Sequence, residues 1–176
     1  MTSHPELRTA RLLLRPVRDS DDEVIFLLRS DDWVNKYLDR QPAQTIDDAR
    51  KHIEKIRDGY SKGTAYYWVI ITSQKQQPIG TICIWNLNEQ NNSGEIGYEI
   101  LPAYKGQGYM NEAIEAVKNF CGQTLSMSRL TAWTHSDNAP SKRLLEKNGF
   151  ERDLEEEKIY ATSEDLSQIE IYSCKI

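Results

Sequence analysis

The sequence predicts an α/β fold, in which helices flank a mixed, mostly antiparallel sheet. Two observations favour it: three β-rich segments follow one another in the middle of the chain, and amphipathic helical segments lie before and after them. The chain has 176 residues, of which 39% are hydrophobic and 28% charged, enough for a sizeable core. We therefore expect residues 1–176 to form a single domain with about seven strands and about four helices.

The first predicted elements are a strand and a helix. The strand candidate is ARLLLRPV, residues 10–17, which has a proline near its end. The helix candidate, RDSDDEVIFLLRS, begins with acidic residues and would place Val24, Leu27 and Leu28 on one face. The chain is thus predicted to open with a strand followed by a helix.

A second amphipathic helix is predicted over residues 45–60. Thr45 is its N-cap and Asp48 follows three residues later, which is the spacing of a capping box. Apolar residues recur at helical spacing from Ile46 to Tyr60. Three strands follow, separated by polar turns: YYWVIIT (66–72), PIGTICIWNL (78–87) and GEIGYEIL (94–101).

The C-terminal part of the chain alternates helices and strands. Gly122 is placed as the C-cap of one predicted helix, and Asn148-Gly149 ends the other. The predicted elements are, in order, a helix over 109–122, a strand over 128–135, a helix over 139–149, and a closing hairpin with strands over 153–161 and 167–176.

Composition restricts the classes of protein. A net charge of −5 argues against nucleic acid as a main partner, because phosphate contacts need clustered Lys and Arg. No apolar run is typical of a signal peptide or a membrane span, so we expect a soluble cytoplasmic protein with no membrane partner. Cys83, Cys121 and Cys174 lie far apart without metal-site spacing. We interpret them as small core residues and expect no metal.

The stretch LPAYKGQGYMNEA, residues 101–113, places two glycines between a predicted strand and a predicted helix. Gly106 and Gly108 permit a tight turn and the close approach of a ligand, and the first amides of the helix lack partners. Those amides, the helix dipole and Lys105 would favour an anion such as phosphate. The alternative is that the turn needs glycine for its geometry alone.

Two common phosphate loops do not fit this turn. A Walker loop needs Lys-Ser/Thr after its last glycine, where this chain has Tyr109-Met110. A dinucleotide-binding loop belongs to a first βαβ unit, whereas this turn follows the third strand of an antiparallel run. A different phosphate-binding turn is therefore indicated.

EIGYEILPAYKGQGYMNEAI resembles the acetyl-CoA-binding signature of the GNAT superfamily of N-acetyltransferases, and NAPSKRLLEKNGF (138–150) resembles that superfamily's next motif. With TARLLLRPV and PIGTICIW the resemblance covers roughly residues 7–175, and it is most similar to the branch containing ribosomal-protein N-terminal acetyltransferases. That branch also holds enzymes for polyamines and other small amines. The resemblance implies a sheet that splays where CoA binds.

The resemblance also assigns residues to the cofactor. The family's Arg/Gln-x-x-Gly-x-Gly/Ala pattern falls on Lys105, Gly108 and Met110, where lysine lacks the fork of arginine and methionine is larger than usual. The loop amides would hold the pyrophosphate, and the end of the preceding strand would pair with the pantetheine arm. The implied cofactor-binding residues are Ile100, Leu101, Lys105, Gly106, Gln107, Gly108, Tyr109, Met110, Asn138 and Ser141.

Amine acetylation needs a base, because the attacking amine must lose a proton. Glu95 is the candidate by its position in the motif, and Glu99 lies four residues on, so both project from one face of the strand. Two neighbouring carboxylates would raise each other's pKa. The alternative is that both are exposed polar residues of an antiparallel strand.

The resemblance implies two further roles. A backbone N–H near Ile100 and Leu101 would stabilise the oxyanion. Ser141 would protonate the leaving thiolate, and Asn138 would contact the pantetheine, although Asn138 is equally suited to cap a helix. Other candidates are weaker: His135 as a proton shuttle or strand end, and Trp33, Tyr37, Trp68 and Trp85 as pocket walls or core.

These expectations lead to one function with two alternatives. We expect an acetyl-CoA-dependent N-acetyltransferase that transfers the acetyl group directly to a primary amine in a ternary complex, such as the N-terminus of a ribosomal protein. The alternatives are a small-molecule amine as acceptor (polyamine, amino acid or aminoglycoside) and a non-catalytic acyl-CoA sensor. The acidic run 155–157 is interpreted as a solvated edge or an attraction for a cationic acceptor. Monomer and homodimer both stay open.

Overall fold

An eight-stranded sheet forms the centre of the computed structural model, which describes residues 4–160 and 167–176. The strands are β1 (Leu7–Arg8), β2 (Leu12–Pro16), β3 (Tyr66–Thr72), β4 (Pro78–Asn88), β5 (Ser93–Ile100), β6 (Arg129–His135), β7 (Glu151–Arg152) and β8 (Ile169–Lys175). The helices are α1 (Asp22–Ser30), α2 (Asp32–Asn35), α3 (Ile46–Ser61), α4 (Tyr109–Gln123), α5 (Ala139–Lys147) and α6 (Leu154–Tyr160). Among the described residues, no helix is both long and apolar enough to span a membrane.

The strand order is β1-β2-β3-β4-β5-β6-β8-β7, and every neighbouring pair except one is antiparallel. The exception is the parallel pair β5–β6, which joins Ser93, Gly94 and Glu95 to Arg129, Leu130 and Thr131. Both strands continue beyond this pairing, to Ile100 and His135. The sheet is therefore mixed, mostly antiparallel and splayed between β5 and β6, which confirms the predicted fold class.

Two hydrophobic layers cover the sheet. One contains α4 residues such as Ile114 and Val117, and Ile96 of β5 belongs to it. The other joins α1 and α3 to β3 through residues such as Leu28 and Ile53. Because strand side chains alternate, Glu95, Gly97 and Glu99 lie on the α1 and α3 side of β5, opposite Ile96, Tyr98 and Ile100.

Local signals in the sequence located most elements well. Strand β3 has the predicted bounds, and the capping box of α3 is present, with the Thr45 N–H donating to Asp48 at 3.0 Å. Cys121 and Cys174 are buried, while Cys83 is partly exposed. In α1 the buried stripe contains Val24, Ile25 and Leu28.

Two local predictions are wrong, and one short helix is missing from the predicted elements. Leu27 is 52% exposed, because it lies on the opposite side of α1 from the buried stripe. Gly122 does not end α4, which continues to Gln123 with Thr124 as its C-cap. The short helix α2 was not predicted. Asp31 is its N-cap, because the Asp31 carboxylate accepts from the Val34 N–H at 2.9 Å.

The predicted strand over 153–161 is also wrong, because Leu154–Tyr160 form α6; Ala161 lies outside the described residues. The Asp153 carboxylate accepts from the N–H of Glu156 at 3.0 Å, as an N-cap does. The acidic run 155–157 follows in the first turn, where the helix dipole favours negative charge. Strand β8 pairs with β6 and β7 instead.

A buried ion pair fixes the end of β2 against the start of α1. Arg15 donates to both carboxylate oxygens of Asp21, at 2.8 and 2.7 Å, and the two residues are 8% and 3% exposed. The same carboxylate accepts from the Arg18 N–H at 2.7 Å. The hydrogen bonds to Asp21 raise the pKa of Arg15. Each charge compensates the other, so the loss of either partner would leave an uncompensated charge in the interior.

We expect Arg15→Met to lower the free energy of unfolding by about 3–5 kcal/mol, because it leaves the Asp21 carboxylate buried without a cation. Urea denaturation measures the change. Arg8→Met is the matched control, since Arg8 pairs with Glu6 at the surface, and it should change stability by less than about 1 kcal/mol. Equal losses in the two variants would contradict this assignment.

Candidate active site

The turn between β5 and α4 has the backbone that an anion site requires. Gly106 and Gly108 have φ values of +70° and +80°, in the region that favours glycine, and Gly108 is the N-cap of α4. By helix geometry, the N–H groups at the start of α4 have no intrahelical acceptor. Met110 is 6% exposed and its side chain packs into the core, so its size does not obstruct the turn.

Arg11, which the sequence analysis did not single out, holds this turn in place. Its guanidinium donates to the Gln107 carbonyl at 3.0 Å and to the Glu112 carboxylate at 2.7 Å. The same group lies 4.6 Å from the centre of the Tyr109 ring. Arg11 comes from the chain between β1 and β2, so no local signal in the turn could have revealed it. Because the Glu112 carboxylate compensates its charge, the main effect of Arg11 is to fix the shape of the turn.

Lys105 was predicted to contribute a positive charge to the anion site, but its side chain contacts α2. Its ammonium lies over the ring of Trp33, a residue of α2 that is 43% exposed. Desolvation lowers the pKa of Lys105. This contact joins α2 to the turn that precedes α4, so Trp33 borders the site.

The unpaired edge of β5 supplies the main-chain groups of the site. Leu101 is not free on either side, because its N–H donates to Ile79 at 2.9 Å and its carbonyl accepts from Tyr104 at 3.0 Å. Since backbone groups alternate along a strand, the N–H groups of Tyr98 and Ile100 point toward the gap that β6 leaves. An acyl group or a pantetheine-like arm in the gap would meet these donors.

Glu95 stands where the pairing of β5 with β6 ends. Its carboxylate accepts from the Asn86 side chain at 3.0 Å. Asn86 has φ of +46° in an irregular stretch of β4, a position that the sequence analysis did not identify. Burial raises the pKa of Glu95, and hydrogen bonds from Asn86 and Trp85 oppose the rise. A carboxylate with a raised pKa is suited to accept a proton near neutral pH.

Glu99 forms an ion pair with Arg40, which lies between α2 and α3. The expected mutual effect of the two carboxylates is not what raises the pKa of Glu95, because burial is the cause and Glu99 is not a contributor. The physical reason is distance, because residues four apart on a strand have their Cα atoms roughly 13 Å apart. The two glutamates share a face of β5, as predicted, but have different partners.

Ser141 is hydrogen-bonded across the site to Tyr98, with 2.9 Å between the two hydroxyl oxygens. Burial raises the pKa of Tyr98 to about 12, so its hydroxyl stays protonated. Asn138 caps α5 by accepting from the Ser141 N–H at 3.2 Å, which is the capping role considered for it. Tyr98 was not predicted, although its place in the motif residues GYE was visible.

The remaining candidates divide between core and rim. Trp68 is fully buried in the core, whereas Trp85 is 48% exposed. Both ring nitrogens of His135 have partners, at 2.7 Å from Gln168 and 3.1 Å from the Asp137 N–H. The Tyr37 ring lies 5.4 Å from the His135 ring, so the segment after α2 reaches the far side of the gap.

Known proteins share the sequence pattern and the fold. The model of the "Acetyltransferase (GNAT) domain" family matches residues 11–151. The uncharacterized N-acetyltransferase YoaA of Bacillus subtilis (strain 168) is 34% identical over 149 residues, covering 85% of this chain and 84% of YoaA. The ribosomal-protein-serine acetyltransferase of Escherichia coli (strain K12) is 26% identical over 119 residues, covering 67% of this chain and 65% of that protein.

A solved structure has the same fold over nearly the whole chain. It is RimL, a ribosomal L7/L12 alpha-N-protein acetyltransferase in complex with coenzyme A, with a TM-score of 0.84. The alignment covers 98% of each chain at 18% sequence identity. At that identity the likeness concerns the fold alone.

We expect Gly108→Ala to lower the free energy of unfolding by about 1 kcal/mol or more, because a β-carbon is strained at positive φ and would lie 3.3 Å from the Arg11 guanidinium. Gly122→Ala is the control: Gly122 lies inside α4 with open space around it, so alanine should stabilise by about 0.5–1 kcal/mol. Urea denaturation distinguishes the two, and shifts of the same sign would refute the role assigned to Gly108.

Proposed function

The chain belongs to the GNAT acetyltransferase family and is an acetyltransferase enzyme, and from that premise we propose its co-substrate, its acceptor class and the roles of its residues. We propose that one domain, residues 1–176, uses acetyl-CoA to acetylate a primary amine by direct transfer in a ternary complex. The observation that carries the proposal is the gap between β5 and β6, which opens beside the glycine turn at the start of α4.

The turn and the gap fit the two halves of acetyl-CoA. The pyrophosphate would lie on the amides from Gly106 to Met110, with Arg11 behind them. The pantetheine arm would pair with the free edge of β5 as an added half-strand, and the N–H of Ile100 would face the thioester oxygen. The CoA held by RimL, which shares this fold, supports the assignment. Acetyl-CoA supplies an activated acetyl group as a thioester.

The base in this proposal is Glu95. An α-amine has a pKa near 8 and is mostly protonated at neutral pH, so a carboxylate within reach, directly or through water, accelerates its attack. Among the two candidate carboxylates Glu95 is the better base, because Glu99 is held in an ion pair with Arg40. The hydrogen bond from Asn86 keeps the Glu95 carboxylate oriented.

We expect Glu95→Gln to lower kcat by about a hundredfold, because the amine loses its proton acceptor. In the wild type, kcat/KM should fall with decreasing pH at a pKa above 4.5, since burial raises the pKa of Glu95. Asn86→Ala removes a bond that lowers this pKa, so the acid limb should move to higher pH. Glu115→Gln, at an exposed position of α4, serves as the control with unchanged kcat. If kcat/KM of Asn86→Ala had the same pH dependence as that of the wild type, Glu95 would not be the base.

Ser141 is proposed to protonate the departing thiolate. Either hydroxyl of the Tyr98–Ser141 pair can donate; in the proposed arrangement Tyr98 is the donor, which leaves the Ser141 proton free for the sulfur. Tyr98 thus acts as a positioning residue in this arrangement. A thiolate has a pKa near 8.5 and leaves fairly well unaided, so the contribution of Ser141 is moderate.

Ser141→Ala should reduce kcat by about tenfold, and Tyr98→Phe by a few-fold, while KM for acetyl-CoA stays nearly constant in both. Steady-state kinetics with a fixed acceptor measures these changes. Ser136→Ala, in the turn that precedes α5, should leave kcat unaltered. If Ser141→Ala kept full activity across the pH range, another group would have to supply the proton.

The acceptor is proposed to be a primary amine, with a protein N-terminal α-amine supported by the name of the Escherichia coli relative, a ribosomal-protein-serine acetyltransferase. Turnover of acetyl-CoA with a panel of peptides and small amines tests this class. Stabilisation by CoA without turnover of any amine would favour the sensor alternative. If CoA did not stabilise the protein and no amine were acetylated, the proposal would lose its basis.

A further inference from the structure

A cluster of charged side chains lies beside Glu99, between the sheet and the layer of α1 and α3. It comprises Arg29 of α1, Arg40 of the segment before α3, His52 of α3 and Glu99 of β5, and we call it the Arg40 cluster. Arg40 pairs with Glu99, and the Arg29 guanidinium lies 3.4 Å from the His52 ring. Burial lowers the pKa of Arg29, and the positive charge of Arg40 lowers it further. Four separate elements thus converge on one face of β5.

The Arg40 cluster carries an excess of positive charge. Burial and the two arginines lower the pKa of His52 to about 3, so its ring is neutral at physiological pH. Two guanidinium groups therefore face the single carboxylate of Glu99. Asp48, across a cavity of about 350 Å³ that Arg29 also lines, is committed to the cap of α3, where it accepts from the N–H groups of Gln44 and Thr45 at 3.0 Å.

One arm of the Arg40 guanidinium has no hydrogen-bond partner among the described residues. Its Nε donates to Asn35 at 2.7 Å and its Nη1 to Glu99, whereas its Nη2 is buried and unpaired. A charged donor that is buried without an acceptor destabilises the protein more than a neutral one does. The Nη2 group therefore keeps N–H donors that neither Asn35 nor Glu99 uses.

We propose that Arg40, supported by Arg29, binds an anionic oxygen group, a carboxylate or a phosphate, that is part of the amine acceptor. The inference rests on the proposed function, because it takes the acceptor to enter along the face of β5 that bears Glu95 and Glu99. A guanidinium fork matches carboxylate and phosphate equally well. Polyamines are disfavoured, since their additional ammonium groups would meet two arginines.

The positions of the two glutamates define the spacing of the acceptor. Their Cα atoms are four residues apart on an extended strand, roughly 13 Å. With a hydrogen bond of roughly 3 Å at each end, an amine near Glu95 and an anion near Arg40 that both lie between the two side chains are about 7 Å apart. This spacing fits a peptide with an acidic side chain close to its N-terminus, or an amine joined to a carboxylate or phosphate through a short chain.

The test uses the whole protein, saturating acetyl-CoA and three matched pairs of amines. The pairs are a tetrapeptide amide beginning Ser-Asp against one beginning Ser-Asn, 4-aminobutanoate against its amide, and phosphoethanolamine against ethanolamine, with spermidine as the cationic comparison. In at least one pair the anionic member should have a KM lower by about tenfold or more, as a charge-assisted hydrogen bond implies. The pair that responds identifies the source of the anion.

Variants connect the preference to Arg40. Arg40→Gln should raise KM for the anionic member by about tenfold, with kcat nearly constant and little change for the uncharged member. Because Arg40→Gln leaves Glu99 unpaired, the double variant Arg40→Gln/Glu99→Gln repeats the measurement with a neutral pair. Arg40→Lys should restore part of the preference. Arg50→Gln removes a cation of α3 that pairs with Asp22 of α1 and Asp47 of α3, and should leave the preference intact.

The outcomes separate this inference from the proposed function. If the members of every pair have the same KM, or if both Arg40 variants keep the preference, the inference is wrong while the acetyltransferase proposal stands. If no amine is turned over, the melting temperature of the CoA-saturated protein decides: the inference also fails unless an anionic member raises it more than its partner. A protein that CoA itself does not stabilise would instead refute the proposed function.

Discussion

Backbone pairing between β5 and β6 stops at Glu95 and Thr131, although both strands continue. The consequence is a strand in the middle of a sheet with free N–H and C=O groups along one edge. Such groups need partners, and no strand among the described residues supplies them there. The gap is therefore both a constraint on the fold and the place where an extended ligand can complete the sheet. The other parts of the site are arranged around it.

The segment from α2 to α3 surrounds this gap from the acceptor side. Trp33 contacts Lys105 at the anion turn, Tyr37 contacts His135 at the end of β6, and Arg40 pairs with Glu99 on β5. Each contact reaches a different border of the gap. Because Arg40 pairs with Glu99 and not with Glu95, the same segment that encloses the site also gives the two carboxylates different surroundings.

Elements with a capping residue or a clear hydrophobic periodicity were predictable. Elements defined by contacts with residues distant in the sequence were not. The capping box of α3, the bounds of β3 and the antiparallel run from β3 to β5 follow from signals a few residues long. Helix α6 was predicted as a strand, although Asp153 provides an N-cap at its start. In the site, Tyr98, Asn86, Arg11 and Arg40 were missed, since each acts through a residue far away in the sequence.

The sequence by itself determined the kind of turn at Gly106 and Gly108, the two glutamates on one face of β5, and the family. These properties depend on residues close together in the chain, where backbone geometry and strand alternation settle the outcome. Only the tertiary structure decided the different partners of Glu95 and Glu99, the position of Lys105 on Trp33, and the unpaired arm of Arg40. Those follow from long-range packing, because charge pairing and burial depend on which segments meet across the sheet.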